Sequence, residues 1–325
     1  MRQFSISIVV LVCSFSIGSM PASGGDLILT DTDDTIRITL RGKPVLEYVK
    51  TARPIPDGVE EYFSRSGYIH PVYTPTGQKL TGDYPADHAH QHALFFAWVK
   101  SSYNGKNVDF WNQAKDLGKI EFREVVNLRR EEQKVAFSVK HAFTVKDDKK
   151  WVDVLHEVWT VTVHQTPQDH FLFDVVSVQR CVSDKPLSLA KYHYGGMAIR
   201  GNHQWLKEKK DHSINPGDVQ YLTSEGKDRW EGNHTRPNWV AFSGKIDGQD
   251  VSAAIFCSPK NFRAPQHVRI HPNKPYFCFA PMVEGPFKIT PSKEYVSRYR
   301  YLVTSNATEI NLIQTHWDDY ANCGK

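Results

Sequence analysis

The stretch Asp87-His88-Ala89-His90-Gln91-His92 gathers three imidazoles and a carboxylate next to an apolar run, Ala93 to Trp98. An extended backbone sends alternate side chains to one face, so the spacing predicts that His88, His90 and His92 share a strand face while Ala89, Gln91 and Ala93 turn away. Imidazole titrates near neutrality and also binds divalent metals. The shared face therefore has two chemical readings. One is metal-free acid and base around a substrate; the other is a divalent-metal site of His88, His90 and His92 completed by Asp87 or Asp109. Asp109 lies in Asn107-Val-Asp-Phe-Trp111, behind a Tyr103-Asn-Gly105 turn that can fold it back toward the histidines.

Further candidates come from residue type and setting. His193 stands just before Gly195-Gly196, a pair that permits close backbone approach, and Glu284 sits between Pro281 and Pro286 in a stiff loop. A site that moves protons on a hydroxylated substrate needs acid and base, forks for hydroxyls or a carboxylate, and aromatic faces to pack on it. On that logic His88, His90, His92, His193 and Glu284 are the expected catalytic groups, with Glu225 as an alternative carboxylate. Asp87, Asp109, Arg200, Glu225, Arg236, Asn261, Arg263 and His267 are expected to bind substrate, and Arg229 is a further candidate fork. Trp98, Trp111, Trp205 and Trp230 read individually as core residues, with stacking of one of the four on a substrate as the alternative. A non-catalytic binding protein is the reading from another class; it predicts aromatic platforms without a working His and Glu pair.

The elements that would position these groups are β-strands. Ile36, Ile38 and Leu40 alternate, Arg41-Gly-Lys-Pro44 turns, and Val45 to Val49 runs back as a hairpin partner. Residues 52–85, rich in Pro and Gly, read as a long loop with one or two short strands. Phe137 to Val145, a turn at Asp147 to Lys150, Val152 to His164 and His170 to Arg180 form a meander of long strands. Later strands are expected near Val240 to Phe242, Val251 to Cys257, Tyr276 to Phe279 and Tyr295 to Val303. Only Ala307 to Tyr320 carries helical spacing, through Ile310, Ile313 and Trp317. Many antiparallel strands with few helices predict an all-β fold of two stacked sheets, with the site on the concave face of one of them.

The chain has 325 residues, 12% aromatic and 23% charged, as befits a globular protein rather than a disordered one. Its formal charge of +4 comes from scattered Lys and Arg, which argues against nucleic acid as a partner. Residues 1–24 read as a secretory signal peptide: Met1-Arg2, an apolar run Ile6 to Ile17, then a small-residue exit. Residues 25–325 follow as one domain in a secreted or periplasmic protein, with no later run of the ~20 apolar residues that span a bilayer. Cys181, Cys257, Cys278 and Cys323 remain, without a CxxC zinc-ribbon spacing, and read as small buried hydrophobes although Cys257 and Cys278 sit in strands that could pair.

Several motifs in order resemble the PmoA-like proteins, often labelled methane oxygenase PmoA. They are Asp87-His-Ala-His-Gln-His-Ala-Leu-Phe-Phe-Ala-Trp98, Asn107-Val-Asp-Phe-Trp111, Tyr194-Gly-Gly-Met-Ala-Ile-Arg200, Trp239 to Gly244, Asn261-Phe-Arg-Ala-Pro265 and His271-Pro272. The resemblance covers nearly all of the chain after the leader; it departs at Ala89, where Pro is common, and at Ala93, where Gly is usual. It implies a galactose-mutarotase-like supersandwich, a fold of secreted and periplasmic proteins that act on or bind carbohydrate. The expected activity is a hydrolase, lyase or isomerase acting on a sugar or glycoside through histidine and a carboxylate. Such a site pairs the two groups without a metal.

Overall fold

The computed structural model describes residues 26–113, 116–147, 150–206 and 219–322. The expected leader, Cys323 and the centre of the turn after Asp147 lie outside them. The first strands are β1 (Leu27–Asp31), β2 (Thr35–Leu40), β3 (Lys43–Val49), β4 (Tyr68–Val72) and β5 (Leu94–Ala97). A short hairpin of β6 (Ser101–Tyr103) and β7 (Lys106–Val108) follows. The long meander is β8 (Gly118–Arg130), β9 (Lys134–Asp147), β10 (Lys150–His164) and β11 (His170–Cys181). Then come β12 (Leu187–Leu189), β13 (Gly196–Arg200), β14 (Gln220–Thr223), β15 (Trp239–Ile246) and β16 (Gln249–Cys257). Last are β17 (Val268–Ile270), β18 (Tyr276–Phe279), β19 (Phe287–Ile289), β20 (Tyr295–Thr304) and the helix α1 (Ile310–Asn322).

Every pairing is antiparallel. One eight-stranded sheet runs β1-β2-β3-β4-β5-β13-β18-β17, a second runs β14-β15-β16-β20-β11-β10-β9-β8, and a small sheet runs β19-β12-β6-β7. This is the all-β two-sheet supersandwich that the period-2 pattern predicts, with one C-terminal helix. Three hairpins close through two residues at positive φ, Arg41-Gly42 (51° and 73°), Asn104-Gly105 (50° and 78°) and Asp247-Gly248 (51° and 78°). That geometry matches the right-handed twist of the flanking strands, so these dipeptides fix register as well as direction.

Register decides which residues reach the site. Phe95, Ala198, Cys278 and Arg269 stand opposite one another across β5, β13, β18 and β17 and so share a face. Phe96, Met197, Phe279 and Val268 share the other face and turn inward. Phe277 and Phe279 on that inner face meet Phe242 and Tyr299 of the second sheet, with ring centroids 5.7 and 5.4 Å apart. The main core fills the space between the sheets, and on the other face Phe95, Ala198 and Cys278 are buried beneath connections such as the one carrying Trp111, whose ring lies 4.9 Å from that of Phe95. Helix α1 covers the outer side of the second sheet, where Ile313 and Trp317 join Trp239, Phe256 and Leu302 in a separate cluster. Ile310, expected on the apolar stripe, is exposed at the first turn. Cys257 and Cys278 are buried free thiols, and Cys181 is free as well.

Candidate functional site

The segment carrying the three histidines is not a strand. The His88 amide donates to the Pro85 carbonyl and the Gln91 amide to the His88 carbonyl, both at 2.9 Å, so two successive turns carry the chain into β5. Pro85 and Asp87 favour that path, and Ala93 closes it at φ 50°. The alternation of side chains is lost with the strand. His88 and His90 line a cavity of about 240 Å³, their rings 5.2 Å apart, whereas His92 turns into the protein.

His92 is fully buried, with Nδ1 2.9 Å from Asp83 and its ring against Tyr68 and Tyr84. It is structural, and its departure from the cavity dissolves the proposed ligand set. Among the described residues no three His, Cys, Asp or Glu side chains converge closely enough to hold a metal ion. Gln91, expected to face away with Ala89, is buried and accepts a 2.8 Å hydrogen bond from Arg200.

The cavity is assembled on the outer face of the first sheet by five parts of the chain. Beside His88 and His90, the loop after β7 brings Trp111 and Asn112, and the segment before β13 brings Tyr192, His193 and Tyr194. The end of β17 supplies Arg269 and His271, and Tyr276 of β18 forms part of the floor. Gly195 and Gly196, at φ 122° and 134°, pin the wall. A Cβ on Gly196 would strike the Phe279 carbonyl, and one on Gly195 would meet the Met282 sulfur. The glycine pair thus serves backbone packing, and through it holds His193 and the tyrosines in place.

Asp87 organises the histidine side. It receives Arg200 at 2.7 and 3.3 Å, Lys274 at 2.6 Å and His88 Nδ1 at 3.2 Å. Burial works to raise its carboxyl, but the His88 hydrogen bond and the two cations outweigh it and hold the group well below the usual carboxylate range. With Asp87 ionised, Nδ1 of His88 is the donor, which leaves Nε2 as the basic atom. Burial pushes His90 and His271 down to about 3, with neighbouring positive groups adding to the effect. His193 is lowered too, by burial and then by Arg269. These rings are neutral imidazoles at pH 7. The Tyr194 hydroxyl donates to Asn112, and burial raises its pKa so that it stays protonated.

The other expected residues have different tasks. Arg200 is fully buried and holds Asp87 and Gln91, so it positions rather than contacts. Asp109 accepts from the Trp111 and Asn112 amides at 2.9 Å and the Asn112 side chain at 2.7 Å, shaping the turn beside the cavity. Glu284 faces Arg236 at 3.7 Å on the surface, and Glu225 pairs with Lys227 at 2.8 Å in a turn; neither lines the cavity. Arg263 ties the 281–286 loop by donating to the Pro281, Gly285 and Pro286 carbonyls. Asn261 clips β20 through the Arg298 backbone, Arg236 donates to Pro265 and Arg263 carbonyls, and Arg229 to Pro272 and Val219. His267 bonds the His234 carbonyl at 3.0 Å. Trp98, Trp111 and Trp205 are buried as expected, while Trp230 is exposed.

Sequence reasoning passed over Asn112, Tyr192, Tyr194, Arg269, His271 and Lys274 as site groups. Arg269 and His271 did leave a signal, because Val268 and Ile270 are core residues and the alternation puts Arg269 and His271 together on the opposite face. A larger groove of about 740 Å³ runs along the small sheet, lined by Ser101, Leu117, Leu189 and Phe287.

These features define an all-β supersandwich with a histidine- and tyrosine-lined cavity on the outer face of one sheet. The chain belongs to the family of unknown function DUF6807, whose model matches residues 35–318. No curated protein matches the chain. Among solved structures it is similar to the GalM/aldose epimerase homologue from C. elegans, at 10% identity and TM-score 0.36 over 86% of this chain and 99% of that one. It is similar also to an alpha-galactosidase from Lactobacillus brevis (10%, 0.34, over 86% and 40%) and an alpha-N-acetylgalactosaminidase from Bifidobacterium bifidum (11%, 0.32, over 91% and 38%). The chain spans less than half the length of those two glycosidases. Likenesses of this size carry no argument about activity.

Proposed function

We propose that this protein is a secreted or periplasmic carbohydrate-active enzyme that moves protons with histidine and needs no metal to do so. The observation that carries the reading is the His88–Asp87 dyad at the cavity wall. The Asp87 carboxylate fixes the tautomer of His88, two cations fix Asp87, and neutral His90, His193 and His271 with protonated Tyr194 supply the remaining donors and acceptors. The motif stretches singled out in the sequence contribute His88, His90, Trp111, Tyr194 and His271 to this one cavity, which supports treating them as a unit.

Glycoside hydrolysis ordinarily sets two carboxylates on either side of the scissile bond. No acidic side chain lines the cavity among the described residues, and Glu284 and Glu225 are engaged elsewhere. Proton abstraction and return, as a lyase or isomerase performs them, suits the groups present better than hydrolysis.

The test is His88→Ala against wild type on a panel of neutral and acidic oligosaccharides, with products read by NMR. Loss of a general base lowers turnover by ~10²- to 10⁴-fold, with melting temperature unchanged because the ring is partly exposed. Full activity in His88→Ala would overturn the assignment. The export part is tested separately, by a mature N-terminus between Ser19 and Asp26 on protein recovered outside the cytoplasm; an intact Met1 there would refute it.

A further inference from the structure

Arg269 is the one cation in the cavity lining; its backbone pairs with Cys278 in the ladder, but among the described residues its guanidinium has neither a hydrogen bond nor an ion pair. Among the described residues no carboxylate pairs with it. Asp87 is occupied by Arg200, Lys274 and His88, and Asp109, beyond Asn112, spends its oxygens on three N–H groups. The facing rings, His193 and His271, are neutral. A guanidinium left without an acid in a concave polar site is a fork awaiting a planar anion, and a carboxylate fits it in bidentate fashion. The cavity, at about 240 Å³, lies below the ~300–1,000 Å³ typical of drug-sized ligands, which suits a single sugar ring.

We propose that the cavity takes a hexuronate unit of an acidic polysaccharide, with Arg269 forking its carboxylate, and cleaves the chain there by β-elimination. The proposal rests on the acid–base reading of the same cavity. His88 Nε2 removes the proton from C5, the carbon bearing the carboxylate. The electron pair of that C–H bond becomes the second bond between C4 and C5 as the C4–O4 bond breaks. The departing O4 takes a proton from Tyr194, and the two side chains recover their starting forms by exchanging one proton with solvent. Arg269 carries the charge that spreads onto the carboxylate as C5 loses its proton, so its effect is larger in the transition state than in the bound substrate. No oxidant, reductant or water is consumed.

The experiment uses polygalacturonate, alginate and chondroitin as probes, with neutral methyl-esterified polygalacturonate beside them. The readout is ultraviolet absorbance of the 4,5-unsaturated uronate. Wild type is expected to produce it from at least one acidic polymer. Arg269→Gln should lower kcat/KM on that polymer by ~10²- to 10³-fold, the usual cost of one charge-stabilising donor, and Arg269→Lys should recover part of the loss. Absence of the unsaturated product from every acidic polymer overturns the proposal. If instead a neutral saccharide is turned over in a His88-dependent, Arg269-indifferent way, this inference falls while the acid–base reading stands. If no saccharide of either kind is turned over, the acid–base reading falls and this inference with it.

Discussion

Asp87→Asn is the most informative single perturbation of the site's support. In the native protein the two carboxylate oxygens meet two cations that are almost wholly withdrawn from water: Arg200 has a side chain 0% exposed and Lys274 one 12% exposed. An amide keeps one acceptor and turns an NH2 group toward a cation, so part of a buried positive pair loses its counter-charge. Removing one partner of a buried ion pair costs ~3–5 kcal/mol. At ~2 °C per kcal/mol, the low end for domains above ~150 residues, the midpoint should fall by about 6–10 °C. Thermal unfolding followed by circular dichroism and calorimetry measures this. Lys274→Met placed in the Asp87→Asn background should recover part of the loss, because it deletes the stranded cation, and the cycle should show coupling of ~0.5–3 kcal/mol. A fall of less than about 2 °C in the single variant, or strict additivity in the double, would refute the account of Asp87 as the charge that holds this corner together.

Two further outcomes follow from burial. His90 and His271 have native pKa values near 3 against about 6.5 in an unfolded chain, so the unfolded state binds more protons between those limits; their contribution is complete above pH ~6.5 and is lost as pH falls toward 3. Urea unfolding at pH 7.5 and 5.0 should show that loss, His90→Asn should lessen it, and equal stability at the two pH values would contradict the neutral-imidazole assignment. Trp317→Ala should cost ~3–5 kcal/mol by opening the cluster beneath α1 while leaving the cavity's chemistry intact; calorimetry beside an activity assay separates the two effects.

Strands and hairpins were legible because their signals are local. Ile36, Ile38 and Leu40 alternate and all three are fully buried, and the Arg-Gly and Asn-Gly turns need nothing beyond their own φ angles. The histidine stretch defeated the same logic. His-Ala-His-Gln-His copies the period of a strand, yet the turns after Pro85 and the positive φ at Ala93 are set by neighbours that the period does not encode. Glu284 and Glu225 looked like catalytic carboxylates because a sequence shows residue type and not distance, and only the fold reveals that Arg236 and Lys227 hold them. Lys274 lies 187 positions from Asp87, and nothing near either residue announces their contact.

The cavity wall is made of connections: 88–91 before β5, 111–112 after β7 and 192–194 before β13, all laid over a ladder whose opposite side is committed to the core. Its floor and its rim therefore answer to different constraints. Strand residues such as Arg269 and Tyr276 are held by register, whereas the rim lies in connections that take part in none of the ladder pairings beneath it. Loop grafts that keep the Asp87 and Gln91 contacts to Arg200 and Lys274 therefore offer a route to new selectivity on an unchanged ladder.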